Sequence, residues 1–244
     1  DIPAKLELDV KDYVVGDVIE VHATNLNDNE TIEFDSLIDI PQVKFDIIDE
    51  DKGIALLPIP RNTVPGSYTI KLKTGADEVI ETITVIVRDG GVWTPIEAST
   101  EEYNQKLSPE KLSDFYKSLR EIATERPDVN YFNYAEMYLR APVSASPRFK
   151  FGQKINLGVA DISGDSGERT CEGLVYELSE GSTVRSAQAG EVVFSGELAP
   201  TGNTVVVYHG YGIYTYYFHL DTINVREGYV LNHGEVLGTA GSSG

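Results

Sequence analysis

The chain has 244 residues, is 41% hydrophobic and 24% charged, and carries 20 Lys and Arg against 39 Asp and Glu, a formal net charge of −19. That length accommodates two modest domains with cores of their own. The charge excludes nucleic acid as a partner and disfavours an anionic membrane surface, since both are held by clustered Lys and Arg. No stretch reaches the roughly twenty apolar residues that span a bilayer. The chain opens on β-like sequence, with no basic-then-apolar leader, as a mature chain would. The single cysteine, Cys171, excludes an internal disulfide.

Residues 1–90 alternate apolar and polar side chains in short runs. These are Lys5–Val10, Val18–Ala23, Ser67–Lys73 and Glu81–Val87, the period of half-buried strands. Asn25–Asn29, Asp51–Gly53 and Val64–Gly66 supply the turn chemistry between them. Strands at this spacing predict an immunoglobulin-like β-sandwich. His22 sits within a strand run and reads as structural.

Residues 91–140 change to a helical connector. Ser99-Thr100-Glu101-Glu102 reads as the cap of a short helix, and Ser108-Pro109-Glu110-Lys111 as the start of a longer one ending near Arg126-Pro127. Leu112, Phe115, Tyr116, Leu119 and Ile122 recur at three and four residues, a stripe expected to pack on a neighbouring domain.

From residue 141 to 244 β-patterns return with many glycines. Glu191–Ser195, Thr204–Tyr208 and Ile213–Leu220 read as strands. Tyr208–Gly212, Val225–Gly228 and Asn232–Glu235 read as turns, and Val236–Gly238 follows. The absence of a strand–helix–strand rhythm predicts an antiparallel sheet, so the chain is mainly β throughout.

The pieces of this last region stand in a telling order. Gly190-Glu-Val-Val-Phe-Ser-Gly196 is followed by Thr201-Gly-Asn-Thr-Val-Val-Val-Tyr-His-Gly210 and Tyr214-Thr-Tyr-Tyr-Phe-His-Leu220. Val225-Arg-Glu-Gly228, His233-Gly-Glu-Val-Leu-Gly238 and Thr239-Ala-Gly-Ser-Ser-Gly244 complete the series. It resembles the core of lysostaphin-type (LytM-like) zinc endopeptidases, which cut peptidoglycan cross-links. Gly53-Ile-Ala-Leu-Leu-Pro-Ile59 with Val64-Pro-Gly-Ser-Tyr-Thr-Ile70 is similar to the β-domain preceding such peptidases in exported bacterial homologues. Leu139-Arg-Ala-Pro-Val143 and Phe151-Gly152 resemble the entry to the catalytic domain.

The resemblance implies a zinc ion held by a His-x-Gly-x-Asp segment and a later His-x-His segment, with an open position for water or substrate. Counting back without gaps from the turn-like Glu180-Gly-Ser-Thr-Val184 places Cys171-Glu172-Gly173-Leu174-Val175 on the first segment. The glycine matches, whereas Cys171 and Val175 stand where the metal-binding His and Asp would be. A second register, through Asn156-Leu157-Gly158-Val159-Ala160-Asp161, substitutes asparagine for the histidine instead. The His-x-His segment would be expected soon after Gly244. No metal ligand set is therefore expected in this chain, and zinc only if it is an active member of the family.

His219 matches the family's accessory catalytic histidine, either as a vestige or as a polar contact in a groove. His209, beside Gly210, is a second candidate, with a turn or surface position as its plain alternative. His233 reads as a surface turn residue and Cys171 as a structural thiol. Tyr208, Tyr211, Tyr214, Tyr216 and Tyr217 are either ordinary strand residues or rings in a cleft that stack on sugars or peptides. The expectation is a catalytically inactive peptidase homologue outside the cytoplasm of a bacterium, binding peptidoglycan or an envelope protein. The alternative is an active zinc endopeptidase.

Overall fold

The computed structural model describes residues 5–8, 12–26, 32–36, 45–60, 62–74, 79–88, 93–95, 107–124, 129–134, 137–156 and 168–244. The cap at Ser99–Glu102, the helix end at Arg126-Pro127, part of the Asn25–Asn29 turn and most of the second register, from Leu157 to Asp161, lie outside them. The chain is mainly β, with antiparallel pairing predominant, and forms two compact units. The first comprises Asp1–Pro95, Lys150–Ile155 and Glu168–Gly173; the second comprises Ile96–Phe149, Asn156–Gly167 and Leu174–Gly244.

In the first unit the strands are β1 (Lys5–Leu8), β2 (Asp12–Val14), β3 (Val18–Thr24), β4 (Ile32–Ser36), β5 (Asp46–Asp49), β6 (Lys52–Pro58), β7 (Gly66–Thr74), β8 (Val79–Arg88) and β9 (Trp93–Pro95). They pair as β1-β3-β6-β5 and β2-β8-β7-β4, the latter with β2 parallel to β8. The alternation read in β3 is what buries it: Ile19, Val21 and Ala23 point inward while Val18 and Glu20 face solvent. Across the ladder Ile19 opposes Leu57 and Val21 opposes Ala55. Tyr13 of β2 joins this cluster and Tyr68 of β7 packs against it, so the two sheets share one core. In a third sheet β10 (Lys154–Asn156) is the central strand, between β9 and β11 (Glu168–Thr170).

The second unit contains helix α1 (Pro109–Thr124) and the strands β12 (Thr183–Arg185), β13 (Gly190–Leu198), β14 (Gly202–Gly210), β15 (Ile213–Ile223), β16 (Val230–Leu231) and β17 (Val236–Ala240). These six strands form one sheet in the order β12-β17-β15-β14-β13-β16. One face buries Val184, Val192, Val205, Val207, Tyr217, Leu220, Leu231 and Leu237.

The opposite face carries an aromatic row. Tyr208 lies 4.8 Å from Tyr214, Tyr214 lies 6.4 Å from Tyr216, and Tyr216 lies 6.1 Å from Phe218. Helix α1 packs there as its stripe predicted. Phe115 is buried, its ring edge-on to Phe218 at 5.9 Å, and the Tyr214 hydroxyl donates to the Ala123 carbonyl at 2.9 Å. Pro109 opens the helix, where its missing N–H would have had no intrahelical partner.

Candidate functional site

The two positions assigned to the first metal segment have distinct surroundings. Cys171 is 7% exposed; its N–H donates to the Gln153 carbonyl and its carbonyl accepts from Gly152, both at 2.8 Å. The thiol donates to the Gly173 carbonyl at 3.2 Å. The backbone of Val175 bridges to Phe149, and its carbonyl also accepts from the Arg148 N–H at 2.7 Å. The Val175 side chain is nevertheless 44% exposed, and Leu174 beside it 54%. A pair of adjacent branched apolar side chains thus faces solvent from one short stretch.

His209 corrects its sequence reading. The hairpin between β14 and β15 turns on Tyr211 and Gly212 alone, with φ of 52° and 73°, the left-handed pair of a two-residue type I′ connection. His209 is therefore a strand residue and 0% exposed, not a surface one. Its Nδ1 lies 2.7 Å from the Ala189 carbonyl oxygen. A carbonyl only accepts, so Nδ1 carries the proton. Nε2 then accepts from the Thr215 hydroxyl at 2.8 Å. The Thr215 hydroxyl also lies 3.0 Å from the Tyr217 hydroxyl oxygen, which accepts the Ala187 N–H at 2.8 Å. A chain of polar contacts thus links the amide of Ala187, through Tyr217, Thr215 and His209, to the carbonyl of Ala189. Burial lowers the His209 pKa below 6.5 and keeps the ring neutral.

His219 is the exposed histidine of β15. Phe218 and His219 together oppose the single Thr204 of β14, because Asn203 pairs with Leu220 and Val205 with Tyr217. This β-bulge places His219 at a φ of 57°, a conformation that histidine tolerates better than branched residues. Its N–H donates to the Thr201 carbonyl at 2.9 Å and its carbonyl accepts from Gly241 at 3.0 Å. Nδ1 donates to the Ser243 carbonyl at 2.7 Å, and Ser243 in turn donates its hydroxyl to the Leu220 carbonyl at 2.6 Å. With the proton on Nδ1, Nε2 is left as an acceptor. No hydrogen bond joins His209 to His219; each has partners of its own.

The other sequence candidates are packed more deeply than expected. His233 lies in its expected turn but is only partly exposed, with Nε2 shielded from solvent. Tyr208 and Tyr217 are buried on opposite faces of the sheet. Tyr211 packs edge-on against Phe132 and Tyr134, both at 5.5 Å. Tyr131, which sequence reasoning passed over, donates to the Glu191 carboxylate and stands edge-on to Tyr208 at 6.4 Å. Burial and that carboxylate push its pKa up to about 12.

Residues 169–244 match the model of peptidase family M23. That segment is an M23 peptidase-family domain. Over 107 residues, 43% of this chain, the sequence is 35% identical to the cell division protein DipM of Caulobacter vibrioides. Over 72 residues, 30% of this chain, it is 38% identical to the DD-carboxypeptidase/endopeptidase Mpg of Neisseria meningitidis serogroup B. The matched stretches span 17% and 16% of those proteins' lengths. A crystal structure of a peptidase M23 from Pseudomonas aeruginosa shares the fold, with a TM-score of 0.56 at 20% identity over 96% of this chain and 86% of that one.

In an M23 domain of lysostaphin type, zinc needs nitrogen, sulfur or oxygen donors converging at about 2.0–2.3 Å. The Val175 side chain has no donor atom, and the Cys171 thiol is turned to a carbonyl. Among the described residues no three His, Cys, Asp or Glu side chains gather where they would hold a metal ion. These residues do not fit a zinc site, and no hydrolytic step follows from them.

Proposed function

We propose that this protein is a catalytically inactive member of the M23 peptidase family, working outside the bacterial cytoplasm as a binding or assembly module on peptidoglycan or an envelope protein. One observation carries the reading: in the segment assigned to the first metal pair, a sequestered thiol and an exposed valine replace His and Asp. Valine at this position favours contact over metal chemistry. With Leu174 it offers an apolar pair of the kind enriched at the centre of binding patches. His219, with Nδ1 engaged and Nε2 an acceptor, serves in this reading as a hydrogen-bonding contact for a ligand.

We place the division of labour at residues 1–90 for a β-module, 91–140 for a connector and 141–244 for the peptidase-like domain. The test is co-sedimentation with purified peptidoglycan sacculi, with soluble fragments measured in the same tubes. The expected result is that the chain pellets with sacculi, releases nothing above buffer, and binds at least about threefold more weakly as Leu174→Glu. Zinc-dependent release of fragments would sink the inactive reading. A chain that stays in the supernatant would leave the protein partner as its target.

A further inference from the structure

A groove of about 410 Å³ in the second unit is lined by Ala141, Val143, Ser144, Leu178, Thr183 and Arg185 among others. Its origin is an interrupted ladder. The Arg140 N–H donates to the Ala187 carbonyl and the Arg185 N–H to the Pro142 carbonyl, at 3.0 and 2.9 Å. These pairs advance in opposite directions along the two segments, as in antiparallel strands. The next pair in that register is Ser144 with Thr183, and no hydrogen bond joins them. The chain has left the edge of β12 at that step, and the groove is the space it vacates.

Thr183 is correspondingly open. Ser182 turns its carbonyl toward β17, where it accepts from Ala240 at 2.7 Å, while Arg185 donates its N–H outward to Pro142. Backbone groups alternate sides along a strand. The N–H and carbonyl of Thr183 therefore face the groove, one exposed step of sheet edge. Two residues on, the exposed Arg185 guanidinium donates Nη1 to the Gly234 carbonyl at 3.1 Å and makes no ion pair. In a chain of net charge −19, an unpaired guanidinium beside an open strand edge is a specific feature.

We propose that this groove binds the C-terminal tail of a partner polypeptide. The tail adds as a short extended strand against Thr183, running parallel to β12, and sets its free carboxylate on Arg185. Backbone pairing supplies attachment and the guanidinium supplies selectivity for a carboxyl end. Strand pairing of this kind calls for L-residues, whose side chains alternate about the pleat. The inference involves neither the metal positions nor the wall, so it goes beyond the proposed function and fails separately from it.

The test titrates the whole 15N-labelled chain with tri-L-alanine, its C-terminal amide and L-Ala-D-Ala-D-Ala, following amide shifts. The free acid is expected to move Thr183, Arg185 and Ser144 together and to saturate. The amide is expected to bind at least roughly tenfold more weakly. Arg185→Gln is expected to lose a similar factor toward the acid, with Arg185→Lys retaining part of it. Equal binding of acid and amide, equal binding of the D-containing peptide, or no shift at these residues up to ~10 mM would each overturn the proposal. The acid–amide comparison needs no variant, so it decides even if Arg185→Gln does not fold.

Discussion

At His209 a residue chosen for a possible chemical role has a structural one. Its polar contacts, continued through Thr215 and Tyr217, tie the strand lead-in at Ser186–Ala189 to β14 and β15. Removing the ring leaves two buried groups unpaired and a void, so His209→Ala is expected to cost about 3 kcal/mol in urea unfolding. The folded pKa is depressed, so the unfolded chain takes up the proton first as pH falls below 6.5. Stability is therefore full above that value and declines below it, by at most about 1.4 kcal/mol per pH unit. Unfolding midpoints measured across that range should show the decline in the wild type and lose this component of it in His209→Ala. Gly190 is a second expectation at this scale. A Cβ there would meet the Tyr208 carbonyl oxygen at 2.4 Å and His209 Nδ1 at 2.7 Å. With Val207 Cγ1 at 2.8 Å, three atoms of β14 must move, so Gly190→Ala is expected to destabilise by about 3 kcal/mol, and a loss under about 1 kcal/mol would mean that the strands can part there.

Among the elements, the strands were legible wherever one face is buried, because burial imposes the period of two. Val18–Ala23 showed it in sequence, and β3 realises it as Val18–Thr24. The stripe of α1 was legible for the same reason, with a period of three to four. What pattern could not reveal is where a ladder slips. Gly210 and Gly212 made Tyr208–Gly212 look like one turn, although only Tyr211 and Gly212 turn and the two residues before Gly210 are buried strand. The bulge at Phe218–His219 has no composition of its own; it arises from how β14 and β15 must meet at Asn203 and Leu220. The groove at β12 is equally invisible, being a pairing that stops. Helix α1 is 16 residues long, a length marginal in isolation, so tertiary contact decides its stability. Phe115→Ala should therefore accelerate hydrogen exchange throughout α1, by a factor reflecting about 2–3 kcal/mol, while leaving β13 and β14 protected. Unchanged exchange would mean that the stripe holds nothing.

For the whole molecule, residues 169–244 match the model of peptidase family M23, and the segment we assign to a first metal pair carries a valine, which has no donor atom, at Val175. The sheet, its glycine turns and a histidine on β15 are kept without a donor at Val175. On the reading we propose, the scaffold serves contacts, since packing and turn geometry tolerate change less readily than an exposed side chain does. The acidic surface and the apolar pair at Leu174 and Val175 are then the features open to selection by a partner. The most direct measurement is zinc content: the protein is equilibrated with zinc, freed of loose metal and analysed by elemental spectroscopy alongside peptidoglycan hydrolysis. The expected result is far less than one zinc per chain and no fragments released. Close to one zinc per chain, with release abolished by a chelator, would contradict the central claim and require a ligand set other than Cys171 and Val175.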